Sequence, residues 1–147
     1  MFRLTSQTPP KIQDDSFKKI LENISHQGSL SIESIERLSD VFSVPQISKV
    51  KEIMSEIVKV VFHPSNRQVW MKLGTDKDYI LYPHTFCSCM DFFLQGILKN
   101  RNYYCKHLIA QGIVEVLSKH QDIEVIERDE NFRERVSQRL ELEHFLS

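Results

Sequence analysis

Between Asp14 and Ile24 the apolar residues Phe17, Ile20, Leu21 and Ile24 recur at three- and four-residue spacing. That period places them on one face and predicts a helix. Gly28 breaks the pattern. Ser31 is positioned as an N-cap, with Glu33 and Ser34 in the first turn, and Ile32, Ile35, Leu38 and Phe42 predict a second amphipathic helix. Val44-Pro45 is expected to end it, because the residue before a proline avoids helical geometry. Ile47, Val50, Ile53 and Met54 predict a third helix. From Ile57 the period shortens: Val58, Val60 and Phe62 alternate with Lys59, Val61 and His63, which reads as a strand largely buried on both faces. A turn at 63–66, a partner strand from Arg67 to Leu73, a turn from Gly74 to Asp78 and a third strand from Tyr79 to Tyr82 follow. Apolar periodicity returns near Met90–Leu98 and from His107 to Leu117. A short run (Ile123, Val125, Ile126) then precedes a charged helix over about Asp129 to Phe145.

These elements predict an α+β chain with a helical N-terminal part, a small antiparallel sheet in the middle and a C-terminal helix. The expected divisions are a flexible tail at 1–13, where Pro9-Pro10 favours extended chain, a helical part at 14–55, a hairpin with the segment after it at 56–121, and the final helix at 122–147, all in one compact domain. The 147 residues suit that size. With 19 basic and 20 acidic side chains the net charge is −1, which argues against gripping nucleic acid by bulk electrostatics. No signal-peptide pattern and no apolar run long enough to span a bilayer is present, so no membrane association and a reducing compartment, cytosol or nucleus, are expected.

An odd number of cysteines, three, excludes a fully paired disulfide framework. All three fall in one segment: Cys87-Ser-Cys89, fifteen intervening residues, then Cys105-Lys-His107. Three thiolates and an imidazole complete a tetrahedral zinc shell with no position open for water, the mark of one structural ion. Residues two apart on a strand share a face, so Cys87 and Cys89 are expected to converge at the end of the third strand. Two apart on a helix point in nearly opposite directions, so Cys105 must precede the helix and His107 lie in its first turn. Unrelated core cysteines and a redox pair are the alternatives. The use of every cysteine in two paired elements favours the metal, and Cys-x-Cys is not the Cys-x-x-Cys of redox enzymes.

The pattern Cys-x-Cys, insert, Cys-x-His resembles the SWIM zinc-finger family, most specifically over 62–112. The family's fold implies a hairpin leading into the first ligand pair and a helix carrying the second, with Cys87, Cys89, Cys105 and His107 as the zinc ligands. The following Leu108-Ile109-Ala110 is similar to the extended Cys-x-His-x-x-Ala form of the SWIM-containing subunit of the Shu complex, with Ala110 as the added motif position. That resemblance implies a nuclear, non-enzymatic adaptor that pairs with a RecA-like recombinase paralogue and promotes recombinase filament assembly in homologous recombination repair.

Two further features bear on function. Arg67, Lys72, Lys99 and Arg101, with Tyr103 and Tyr104, could offer charge and stacking surfaces to single-stranded DNA, which makes a stand-alone single-strand-binding zinc module the alternative reading. Near-neutral net charge favours instead a solvated basic surface with tyrosines packed at its edge. Phe132, Val136 and Leu140 form a stripe that is either a groove for a partner or a face packed on the domain's own core. His63, His84 and His120 are spare histidines. No glycine-rich phosphate loop or carboxylate pair suggests an enzyme.

Overall fold

A computed structural model describes residues 10–74, 77–100, 102–118 and 123–136, with side chains from 13 onward. Helix α1 (Pro10–Gln27) begins four residues before its expected start, since proline is tolerated in a first helical turn where its missing N–H would be unpaired anyway. It ends at Gly28, whose φ of 75° lies in the left-handed region, with the Gly28 N–H on the Ile24 carbonyl at 2.8 Å. Helix α2 (Ile32–Val41) is capped by Ser31, whose hydroxyl accepts from the Ser34 N–H. Helix α3 (Val44–Ile53) starts where Val44-Pro45 was expected to stop a helix. Ser43 caps it, and Pro45 occupies its first turn.

The sheet runs β4-β3-β2-β1-β5, with β1 (Ile57–His63), β2 (Arg67–Lys72), β3 (Tyr79–Tyr82), β4 (Phe86–Cys87) and β5 (Glu124–Arg128). The first three strands are antiparallel neighbours, as predicted, and β4, which was not predicted, adds antiparallel to β3. β5 lies parallel to β1, pairing Val60 with Val125 and Val61 with Ile126, so the sheet is mixed rather than antiparallel. Parallel pairing needs a long crossover. Helix α4 (Met90–Phe92, continuing with wider π-type winding over Phe93–Ile97) and helix α5 (Lys106–Leu117) lie in that connection.

Strand alternation sends Ile57, Trp70, Leu81 and Cys87 to one side of the sheet, where they join α1, α2, α3 and α5 in the main core. Val60, Phe62, Met71 and Ile80 point to the other side. There Phe132, at the start of α6 (Phe132–Arg135), and Val136 cover them. β1 is therefore buried on both faces, as its sequence predicts. α5 is the central helix: Leu108, Ile109, Ala110, Gln111 and Ile113 are fully buried. Among the described residues no helix is long and apolar enough to cross a membrane.

The C-terminal segment differs from expectation in its described part. A short turn of tighter helix (Asp129–Asn131) precedes α6. Phe132 and Val136 pack on the domain's own second core rather than forming an open partner groove, and the Phe62 and Phe132 rings meet edge-on at 5.0 Å. Leu140 lies outside the described residues.

Candidate metal centre

Cys87 sits on β4, a separate strand reached through the turn after Tyr82, and not at the end of the third strand. Cys89 follows in extended conformation (φ −79°, ψ 160°) and caps α4, its Sγ accepting the Phe92 N–H at 3.3 Å. Cys105 is the N-cap of α5 (φ −76°, ψ 167°), and His107 stands in the first turn. This is the placement that the two-residue spacing requires.

The four donor atoms lie within 4.8 Å of one another and all four side chains are buried. Cys87 Sγ is 3.7 Å and Cys105 Sγ 3.9 Å from His107 Nδ1. A tetrahedral zinc ion with bonds of about 2.3 Å to sulfur and 2.0–2.1 Å to nitrogen sets its ligands about 3.5–4 Å apart; both sulfur–nitrogen separations match that spacing, and the four donors together would fill the ion's coordination shell. The His107 ring is held at 4.9 Å from the Tyr79 ring. With three thiolates the loaded centre would carry one net negative charge, beside the favourable N-terminal end of α5.

Electrostatics distinguish the thiols. Burial pushes Cys87 and Cys105 well above the ordinary thiol range. Hydrogen bonds from the Cys105 and Cys87 thiols hold Cys89 far below it. Zinc binds thiolates, so any thiol that burial keeps protonated in the metal-free cluster must give up its proton when the metal binds. Because protons compete with the metal, affinity should rise with pH between pH 7 and 8. Chelator competition across that range, with proton release measured in weak buffer, checks this. A pH-independent affinity would contradict it.

A second network braces the centre. The Tyr104 hydroxyl donates to Asp14 Oδ1 of α1 at 2.5 Å, and His84 Nδ1 meets the same hydroxyl at 2.7 Å. The Tyr104 hydroxyl holds Asp14 below its usual carboxylate range, while burial lowers His84. Gln46 Nε2 of α3 donates to the Tyr104 carbonyl at 2.9 Å. Two N-terminal helices thus grip the residue immediately before Cys105. His84 is engaged here and is not among the metal donors. Nothing in the sequence pattern signals this network, since Asp14, Gln46, His84 and Tyr104 are scattered along the chain.

The residues considered for DNA contact are not brought together as a free surface. Lys72 is 8% exposed, paired with Glu56 at 3.4 Å and held 5.6 Å from the Tyr79 ring centroid. Tyr104 is buried in the network above, and the Tyr103 hydroxyl donates to Asp91 at 2.8 Å. Arg67 is exposed, but its guanidinium lies 3.9 Å from the Phe132 ring centroid. Lys99 is exposed and donates to Gln95. Arg101 lies outside the described residues.

No family model and no solved structure matches the chain. Two curated relatives do. The chain is 33% identical over 120 residues to the zinc finger SWIM domain-containing protein 7 homolog of Dictyostelium discoideum, covering 80% of this chain and 74% of the relative. It is 25% identical over 121 residues to zinc finger SWIM domain-containing protein 7 of Mus musculus, covering 81% and 80%.

Proposed function

The chain belongs to the SWIM-type zinc finger family, and from that premise we propose that it is a non-enzymatic zinc-binding adaptor of a Shu-like complex. In this reading it works in the nucleus, pairs with a RecA-like recombinase paralogue and promotes recombinase filament assembly during homologous recombination repair. The observation that carries the adaptor reading is the closed donor set: Cys87, Cys89, Cys105 and His107 are all buried and leave no coordination position for a substrate. Such a centre organises a surface. It does not run a reaction.

Two features support the pairing. Ala110, fully buried on α5, matches the extended Cys-x-His-x-x-Ala pattern. The segment that Cys89 caps also leaves Met90, Leu94, Ile97 and Leu98 exposed. An apolar set of that kind suits burial against a protein partner better than open solvent. Engagement of Lys72 and Tyr104 inside the fold removes members of the set that the single-strand-binding reading requires.

Co-expression with RecA-like paralogues, followed by size-exclusion chromatography and metal analysis, tests the proposal. A stable heteromeric complex with one zinc per chain is expected. Failure to pair with any such paralogue would overturn the adaptor role, and tight binding of an unpaired oligonucleotide by the isolated chain would favour the alternative.

A further inference from the structure

The middle residue of Cys87-Ser88-Cys89 does more than separate two ligands. β3 and β4 pair Tyr82 with Phe86 and Leu81 with Cys87, so the next pair of the ladder would be Ile80 with Ser88. In a continuing antiparallel ladder such a pair exchanges two backbone hydrogen bonds. Here only one of them is made between backbones: the Ser88 N–H donates to the Ile80 carbonyl at 3.1 Å. The Ile80 N–H donates instead to the Ser88 side-chain oxygen at 2.9 Å. Ile80 is fully buried and Ser88 is 5% exposed, so this N–H has no water to turn to.

We infer that Ser88 is a positioning residue for the metal centre, its hydroxyl standing in for its own carbonyl at the last rung of the sheet. The substitution lets the backbone leave the sheet at Ser88 without orphaning the Ile80 amide. The chain then turns into the extended conformation at Cys89 that caps α4. Cys87 stays tied to β3 while Cys89 swings toward Cys105 and His107, and one hydroxyl holds the angle between the two thiols. An alanine there keeps the ladder's Ser88 N–H bond but leaves the Ile80 amide buried and unpaired. The segment must then either reform the ladder, which drags Cys89 back toward the strand, or carry the desolvation cost.

This inference rests on zinc occupying the four-residue site, and the experiment separates the two. Cobalt(II) and zinc affinities are measured by chelator competition for the full chain and for Ser88→Ala, Ser88→Thr and Ser88→Val. Cobalt also reports ligand geometry through its visible absorption. Outer partners of metal ligands typically contribute about 10–100-fold in affinity. Loss of affinity in that range is expected for Ser88→Ala and Ser88→Val, with a changed cobalt spectrum, while Ser88→Thr stays within about threefold of the parent. Thr and Val have nearly the same shape, so their comparison isolates the hydroxyl even where Ser88→Ala fails to fold. Equal affinity and equal spectra for Thr and Val would overturn the positioning role. A parent chain that takes up neither metal would overturn the metal site itself, and this role with it.

Discussion

Replacing Cys105 with alanine is expected to abolish retention of zinc and to lower the melting temperature of the zinc-loaded protein by about 10 °C. Cys105 is fully buried at the start of α5, and its sulfur, together with the His107 ring, joins the central helix to Cys87 on β4 and Cys89 at the cap of α4. Removing it opens one side of the tetrahedron to solvent and leaves three donors, a weaker set. A ligand present at 1,000 times its dissociation constant stabilises the folded state by about 4 kcal/mol, and 1 kcal/mol moves the midpoint of a chain this size by about 2–4 °C. The main core is built from α1, α2, α3, α5 and the sheet, and the three cysteines are a minority of its apolar side chains, so the variant should remain folded at low temperature. Metal analysis after dialysis against a weak chelator, paired with thermal unfolding, checks both halves. Retention of one zinc equivalent by Cys105→Ala and equally by His107→Ala would show that the cluster is not the metal site.

The parts of this fold legible in the sequence are those whose signals are local. Helical spacing of Phe17, Ile20, Leu21 and Ile24 marks the buried face of α1, and all four side chains are in the main core. Alternation from Ile57 to Phe62 marks a strand with a core on each side. Side-chain geometry two residues apart places Cys105 before α5 and His107 within it, and the donors converge. In each case a short-range rule suffices.

What escaped reading depends on long-range partners. Ile123, Val125 and Ile126 look like any short apolar run, and nothing near them says that β5 will pair parallel with a strand some sixty residues earlier. The Met90–Leu98 segment has helical periodicity, but four of its apolar side chains are exposed, and period alone does not say whether a face meets the core or solvent. Ser88 looks like a spacer until Ile80 is seen beside it. Pro45 carries a helix-breaking signal and a helix-starting one, and the Ser43 cap decides between them.

Phe17→Ala is expected to cost about 3–5 kcal/mol, the range for deleting a fully buried phenylalanine, while leaving zinc stoichiometry unchanged. The Phe17 ring is at the centre of an aromatic cluster, edge-on to Phe42 at 5.3 Å and to Tyr104 at 5.2 Å, and 5.7 Å from His84. Its opposite contact is backbone: a Cβ placed on Gly112 of α5 would lie 2.8 Å from the Phe17 ring. Gly112 is therefore what lets α1 approach α5 this closely, and Gly112→Ala should itself cost about 1–3 kcal/mol by overpacking. The two changes act on one space in opposite senses. In the double variant the methyl group enters the room vacated by the ring, so the combined loss should fall short of the sum of the single losses by about 1 kcal/mol or more. Denaturant unfolding of the four proteins closes this cycle. Strict additivity would mean that the α1–α5 seam is looser than the packing of Phe17 against Gly112 requires. A shortfall would establish that α1, which also holds Tyr104 through Asp14, is locked to the metal-bearing helix by direct close packing.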